Sequence, residues 1–263
     1  MRLDVFLVKI KKIESRAKAQ ELISQGFVRI KQPGQDEIIL TKANYIVDTT
    51  IEQFVEIIDN DFSRYVSRGA LKLIGALDTT KLDVSQMTVL DVGQSTGGFT
   101  DVLLQKGAKF VVGVDVGQDQ LHTKIKHDSR VKAFEKINVR ELTENTYFND
   151  YIKQMNNAHE LAVFDLIVCD VSFISLKKII SQLRPYLKLN GYFILLVKPQ
   201  FESGPEHLDK NGLVKSSNIY AVIESDIKKE CEKAFNCSVK YFSSSITGKD
   251  GNKEFFVYGK KCE

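Results

Sequence analysis

The spacing of apolar positions predicts two kinds of structure along the chain. Residues 67–263 contain short apolar runs separated by amphipathic stretches, a pattern typical of buried strands that alternate with helices. The runs interpreted as strands, one with its exit loop, are 87–90, 110–114, 132–140, 164–169, 192–197, 238–242 and 254–258. We therefore predict an α/β domain with a doubly wound, mostly parallel sheet, whose last strand adds an antiparallel hairpin arm.

Helices are predicted between these strands. One begins near residue 67 with Ser67 as its cap, and another starts near Phe99 after a glycine-rich turn. A helix over 172–186, interrupted by Pro185, and a charged helix over 217–235 complete the pattern.

Residues 1–59 show shorter segments and predict a small α+β domain. A first helix covers 2–9, and a second covers 16–25, capped by Ser15 and stopped by Gly26. Strand-like pieces follow at 27–30, 45–47 and 53–58. Residues 60–66 are interpreted as a linker to the larger domain, 67–263.

The stretch from Val89 to Asp115 organises the larger domain. Strand, glycine turn, helix and strand form one right-handed βαβ unit that ends in an acid. Glycines let a ligand approach the backbone closely, and Asp115 is placed to accept hydrogen bonds from ribose hydroxyls. Asp91, two residues before Gly93, is placed as in S-adenosylmethionine methyltransferases, where the acid faces the cationic end of the cofactor.

Two other functions, dinucleotide binding and hydrolysis, fit parts of this stretch. The dinucleotide fingerprint G-x-G-x-x-G would need glycine where Ser95 stands. Residues 93–97 also match G-x-S-x-G, the nucleophile elbow of hydrolases, which needs an acid and a histidine downstream. The four histidines lie in polar, loop-like surroundings, which disfavours this second interpretation.

Composition narrows the class of protein. The chain has 263 residues, 43% hydrophobic and 27% charged, and contains no apolar run long enough for a membrane span. Its charged start is unlike a signal peptide, and its four cysteines lack C-x-x-C spacing. We therefore expect a cytoplasmic protein without a metal site or a stable membrane association.

Positive charge is concentrated at the start of the chain. Residues 1–34 carry eight Lys or Arg against three acids, a local charge of +5, although the whole chain sums to only +3. A basic module joined to a neutral domain favours a nucleic-acid anchor that serves a catalytic domain.

A family resemblance supports this interpretation. The residues that carry it lie near the start of the chain: Arg2-Leu3-Asp4, Leu7, Ser15-Arg16, Ala19, Leu22-Ile23, Gly26, Val28 and Ile30. Together they resemble the small RNA-binding domain first described in a small-subunit ribosomal protein. The resemblance implies that the second helix presents Arg16 and Lys18 to structured RNA. Other candidate RNA contacts are Arg2, Lys9, Lys11, Lys12, Arg29 and Arg68.

Polar residues follow several predicted strands. Asp91, Asp170 and Lys198 each come directly after an apolar run, so they should lie at the same edge of the sheet, where open α/β sheets bind ligands. Lys72 precedes the first strand of this domain and Glu254 opens the last.

The whole chain resembles the TlyA family of haemolysin-like ribosomal RNA methyltransferases, whose catalytic domain is similar to FtsJ-type ribose 2′-O-methyltransferases. The resemblance is carried by 67–73, 91–101, 113–117, 170–176, 196–202 and 251–255. It implies a Rossmann-like methyltransferase sheet, S-adenosylmethionine as cofactor, and ribosomal RNA or ribosomal subunits as partner. The implied target is a cytidine in large-subunit RNA, with a small-subunit site as a second.

Site residues follow from the strand ends and from this resemblance. The FtsJ-type catalytic tetrad falls on Lys72, Asp170, Lys198 and Glu254. The candidate cofactor-binding residues are Asp91, Gly93, Ser95, Gly97, Gly98, Phe99, Asp115, Val116, Asn138 and Asp170. Lys198 is assigned to orienting the attacking hydroxyl and stabilising its charge, with general base as a second role. Gln94 replaces the usual Ala and would crowd the methionine end of the cofactor, and Ser245-Ile246 replaces a Pro-Ile step.

Rival functions remain open at this level. Residues 170–173 have the D-x-x-aromatic spacing of base-directed methylation, without its prolines. Carbon-5 methylation would need Cys169 as a nucleophile, although its place in an apolar strand favours a core position. Two further alternatives are a cytolysin and an RNA-binding protein with little methyltransferase activity.

Overall fold

The structure is a computed structural model that describes residues 1–10, 12–24, 26–34, 36–58, 64–155, 160–248 and 251–263. The chain divides into two compact units, Met1–Ser67 and Arg68–Glu263. Lys11 and residues 60–63 of the predicted linker lie outside the described residues.

The described part of the first unit contains two α-helices and a three-stranded antiparallel sheet of order β2-β1-β3. Its elements are α1 Leu3–Lys9, α2 Arg16–Ser24, β1 Val28–Ile30, β2 Ile38–Leu40 and β3 Val55–Ile57. The buried residues include Leu3, Phe6 and Leu7 in α1 and Ala19, Leu22 and Ile23 in α2. Ser15 Oγ accepts from the backbone of Lys18 at 3.2 Å, which confirms the predicted start of the second helix. Gly26 lies just beyond α2 with a φ of +77°, whereas Gln25, the predicted last residue of this helix, lies outside the described residues.

One strand prediction in this unit is wrong. Residues 45–47 contribute only an isolated bridge, between Ile46 and Arg2, and the sheet instead uses Ile38–Leu40. That strand is mostly exposed, so it lacks the alternation that marks a half-buried strand. A 3-10 helix, Thr49–Phe54, precedes β3.

The second unit is built on a seven-stranded sheet of order β6-β5-β4-β7-β8-β10-β9. Its strands are β4 Thr88–Val92, β5 Phe110–Val114, β6 Val131–Phe134, β7 Phe164–Cys169, β8 Leu187–Val197, β9 Val239–Ser243 and β10 Phe255–Lys260. Strands β4 to β8 pair in parallel, whereas β10 pairs antiparallel with β8 and β9. The predicted parallel sheet with an antiparallel arm is confirmed.

The strand order reverses direction between β4 and β7. Right-handed crossovers on the two sides of this switch point put helices on opposite faces, and a ligand crevice opens at the carboxyl ends of the strands. The helices are α3 Gly69–Thr80, α4 Gly98–Gln105, α5 Thr123–Lys126, α6 Thr146–Met155, α7 Ile180–Leu183, α8 Pro199–Glu202 and α9 Asn218–Phe235. No helix in the described part of the chain is long and apolar enough to cross a membrane.

Two helix predictions need correction. Arg68, not Ser67, precedes α3 and makes no side-chain cap. Residues 172–186 do not form one helix, because a 3-10 helix Leu176–Lys178, α7 and a second 3-10 helix Arg184–Tyr186 succeed one another. Phe173 begins this segment with a φ of +63°, which no continuous helix accommodates.

Candidate active site

The glycine turn after β4 passes directly against the end of β7. Gly93 has a φ of +82°, and a Cβ atom there would lie 2.3 Å from the carbonyl oxygen of Asp170. Its backbone N–H donates to the carbonyl of Val114 at 2.9 Å. Only glycine allows this approach, which brings the ends of β4, β5 and β7 together around an open crevice.

A cavity of about 460 Å³ opens at these strand ends. Its wall includes six of the predicted cofactor-binding residues: Gly93, Ser95, Asp115, Val116, Asn138 and Asp170. The volume lies within the range of small-molecule sites, about 300–1,000 Å³. The cavity also has a mixed wall, because Ile137, Val139 and Ile174 supply apolar surface beside the acids.

Backbone groups hold Asp115 at the tip of β5. Its Oδ2 accepts from the N–H of Ser95 at 2.8 Å, and its Oδ1 accepts from the N–H of Gly117 at 2.7 Å. Each carboxylate oxygen has more than one acceptor site, so both can also accept from a ligand. This arrangement suits a pair of ribose hydroxyls.

Four predicted cofactor-binding residues do not reach the cavity wall. Asp91 is fully buried, and its Oδ2 accepts from the hydroxyl of Thr100 at 2.6 Å. Burial raises the pKa of the Asp91 carboxyl to about 7. Gly97 packs against Leu121 and Ile125, and Gly98 and Phe99 are buried in α4. These residues lie behind the turn and outside the cavity lining, and their role in cofactor binding stays a prediction.

Gln94 turns away from the cavity. Its side chain lies over Gly113, where a Cβ atom would come within 2.0 Å of the Gln94 Cδ, and it is only 5% exposed. Its Nε2 donates to Thr100 Oγ1 at 2.9 Å, and Thr100 in turn donates to Asp91. The expected crowding of a ligand by Gln94 is therefore not seen, because the missing side chain of Gly113 leaves it a buried position.

The four residues of the predicted catalytic tetrad form one ionic row. Glu254 Oε2 lies 2.8 Å from Lys72 Nζ, Lys72 Nζ lies 3.8 Å from Asp170 Oδ2, and Asp170 Oδ1 lies 2.6 Å from Lys198 Nζ. Lys198 is 8% exposed and Glu254 is 4% exposed. Two lysines and two carboxylates balance one another here, as buried charges require.

Strand pairing explains why residues so distant in sequence meet. Lys198 follows Val197 at the end of β8, and Glu254 precedes Phe255 at the start of β10; Val197 and Phe255 are register partners. Asp170 follows β7, the parallel neighbour of β8. Lys72 reaches the row from α3.

Two residues beside the row were missed as site residues. Ser172 Oγ accepts from Lys198 Nζ at 2.9 Å, and Phe173 lies on the cavity rim, 91% exposed. The Phe173 ring centroid lies 5.1 Å from that of Phe201. Both missed residues belong to the segment 170–176 noted for its family resemblance, and Phe173 is also the aromatic position of the D-x-x-aromatic spacing.

The basic residues of the first unit differ in how freely they can bind a partner. Arg2 and Arg16 both donate to Asp4, a carboxylate with no exposed surface, yet their own side chains remain about half exposed. Gln20 donates to the same carboxylate at 2.7 Å. The Arg2 guanidinium holds the pKa of the Asp4 carboxyl well below its usual range. The two arginines are thus fixed as a pair at the surface.

The other RNA-binding candidates divide into engaged and exposed residues. Lys18 donates to the carbonyl of Tyr65 at 2.6 Å, and Lys12 donates to the carbonyl of Val55. Arg29 forms ion pairs with two glutamates, at 2.9 Å and 2.8 Å. Lys9 is exposed. In the second unit, Arg68 donates to the carbonyl of Thr247 at 3.2 Å.

The geometry disfavours two rival chemistries. Ser95 Oγ donates to Gln120 Oε1 at 3.2 Å instead of to a histidine, so the hydrolase elbow lacks its base at this position. Cys169 is fully buried, and burial raises the pKa of its thiol, which is the opposite of an activated nucleophile. Across the described ranges, no cluster of three metal-ligating side chains occurs.

Two family profiles match the chain. One, described as FtsJ-like methyltransferase, matches residues 65–261, and the other, described as S4 domain, matches residues 1–50. Together they account for both units of the chain.

Relatives align with almost the whole chain. The 16S/23S rRNA (cytidine-2′-O)-methyltransferase TlyA of Mycobacterium tuberculosis is 34% identical, covering 98% of this chain and 88% of the relative. The 23S rRNA (cytidine-2′-O)-methyltransferase TlyA of Campylobacter jejuni is 33% identical, with 98% of each covered. A solved structure of a candidate hemolysin from Streptococcus thermophilus has a TM-score of 0.71 and 35% identity, covering 100% of this chain and 89% of that one.

Proposed function

We propose that this chain, which belongs to the TlyA family, is an S-adenosylmethionine-dependent methyltransferase that modifies the ribose 2′-hydroxyl of a cytidine in ribosomal RNA. The observation that carries the proposal is the ionic row Glu254–Lys72–Asp170–Lys198, which adjoins a cavity lined by Asp115. Large-subunit RNA is the first candidate substrate, because both related methyltransferases are named for 23S RNA.

The cavity residues fit S-adenosylmethionine. Asp115, fixed by two backbone N–H groups, would hold the ribose hydroxyls, and Asn138 with its neighbours would face the adenine. Gly93 and Asp170 would bound the methionine end. When bound, the cofactor supplies an electrophilic methyl group on a sulfonium sulfur.

Lys198 is the group proposed to hold the attacking 2′-hydroxyl. Its ammonium is held by Asp170 and shielded from water, so an N–H bond aimed at the hydroxyl oxygen can fix the angle of attack and stabilise charge on that oxygen. Lys72 and Glu254 would keep Asp170 in place and complete the charge balance. The ion pair with Asp170 supports this orienting role for Lys198, and general base stays its second assignment.

RNA binding is divided between the units. The Arg2–Arg16 pair and Lys9 offer exposed positive charge for phosphates, which gives affinity without sequence choice. Phe173 offers a ring on which an unstacked base near the reacting ribose can lie.

Replacing Lys198 tests this function. The Lys198→Ala protein should transfer methyl groups from labelled cofactor to ribosomal particles at least about 100-fold more slowly than wild type. Lys188→Ala is the matched control, because Lys188 also pairs with an aspartate, Asp165 at 2.7 Å, at the opposite end of β8. Equal activity of Lys198→Ala and wild type would refute the assignment.

The relationship to candidate hemolysins makes membrane lysis the second function to examine. Purified protein added to dye-loaded lipid vesicles should cause no leakage above buffer. Leakage at concentrations where the protein methylates no RNA would favour the lytic function instead.

A further inference from the structure

Ser172 is a further polar neighbour of the ionic row formed by the tetrad. Lys198 Nζ donates to Ser172 Oγ at 2.9 Å, on top of its 2.6 Å contact with Asp170 Oδ1. Asp170 and Ser172 both line the cavity as well. They are therefore two side chains that contact both the lysine and the space proposed for the cofactor.

One fixed acceptor sets the direction of the ammonium. The three N–H bonds of a lysine ammonium are spaced evenly around the Cε–Nζ bond, so directing one of them at an acceptor that lies off this bond also sets the directions of the other two. The 2.9 Å contact with Ser172 is a hydrogen bond, whereas Asp170 Oδ1, at 2.6 Å, pairs with Nζ by charge and accepts no hydrogen bond. Ser172 therefore sets where the remaining N–H bonds of Lys198 point.

The surroundings keep this arrangement rigid. Lys198 is 8% exposed, so few water molecules reach its ammonium. Pro199 follows directly and restricts the backbone of Lys198. Next to Ser172, Phe173 has a φ of +63°, and the Ser172 hydroxyl lies within hydrogen-bond distance of Lys198 at the end of β8.

We propose that Ser172 is a positioning residue for the methyl transfer, which fixes the rotation of the Lys198 ammonium so that another of its N–H bonds meets the ribose hydroxyl. This role rests on the proposed function. It requires only the hydroxyl of Ser172 as an acceptor and involves no covalent step at this residue.

Steady-state kinetics of three variants test the proposal. Ser172→Ala should lower kcat roughly 10- to 100-fold, the cost of a misdirected catalytic group, with KM for cofactor and for ribosomal particles within about twofold of wild type. Ser172→Thr, which retains the hydroxyl, should recover most of kcat. Ser181→Ala, another exposed serine, should match wild type.

Direct binding and melting measurements separate positioning from structure. Because Ser172 is exposed, Ser172→Ala should bind S-adenosylhomocysteine and melt like wild type. A wild-type kcat for Ser172→Ala, a loss confined to KM, or a threonine variant as slow as the alanine variant would overturn the role of Ser172 while leaving the proposed function intact. An inactive wild-type protein would overturn the proposed function, and the role of Ser172 with it.

Discussion

Replacing Gly93 by alanine should damage the candidate cofactor site from the backbone outward. The new Cβ would lie 2.3 Å from the Asp170 carbonyl oxygen and 2.9 Å from its carbon. Both atoms are backbone, so the turn and the end of β7 must separate. A left-handed residue other than glycine costs about 1–2 kcal/mol, and forced overpacking costs about 1–3 kcal/mol more. We expect a total loss of about 2–5 kcal/mol in the free energy of unfolding.

Gly212→Ala separates the two contributions. Gly212 has a φ of +76°, close to that of Gly93, but no atom lies within 4 Å of its Cβ position. It should therefore lose only the left-handed penalty, so the melting temperatures of the two variants should differ by about 3–10 °C. Calorimetric titration with S-adenosylhomocysteine should show weakened binding for Gly93→Ala alone. Equal melting temperatures and equal affinities for the two variants would refute this account of the turn.

Three further predictions concern other parts of the structure. Phe173→Ala should raise the Kd for ribosomal RNA about 5- to 150-fold, the worth of one base stack, at unchanged melting temperature; an unchanged Kd would refute stacking. Gly113→Ala should lower the free energy of unfolding by about 1–3 kcal/mol, as measured by urea denaturation. Adding Gln94→Ala should restore most of the lost stability; additive losses for the two substitutions would contradict the packing of Gln94 on Gly113. The pKa of the Asp4 carboxyl is lowered in the folded protein, so its stabilising contribution is present above the unfolded pKa of about 4 and is lost as pH falls below it. Asp4→Asn should therefore flatten the fall in stability at acid pH. Parallel curves of stability against pH for the variant and the wild type would contradict this.

The order of elements in the second unit could be predicted because its central strands are almost fully buried. Run 110–114 is apolar throughout, and run 164–169 is apolar except for Asp165, which is the signature of a strand covered on both faces. Strand β2 shows the opposite case, since two of its three residues are exposed and no pattern marks it. The broken segment 172–186 depends on the left-handed Phe173, a conformation that sequence pattern does not reveal.

The charged residues of the site were predictable for a geometric reason. Asp170, Lys198 and Glu254 flank buried strands at one edge of the sheet, and their contacts follow once those strands pair. Direction of side chains was not predictable. Whether Gln94 pointed into the cavity or over Gly113, and whether Asp91 reached the cavity wall, depended on local packing that spacing does not encode.

Methylation of ribose in ribosomal RNA by this chain can be tested by identifying the labelled nucleoside. Purified protein is incubated with methyl-labelled S-adenosylmethionine and ribosomal particles from cells that lack this modification, and the RNA is then digested to nucleosides. We expect label in 2′-O-methylcytidine, absent when Lys198→Ala replaces the wild type. Label on a base, or no label from a protein that binds the cofactor, would contradict it.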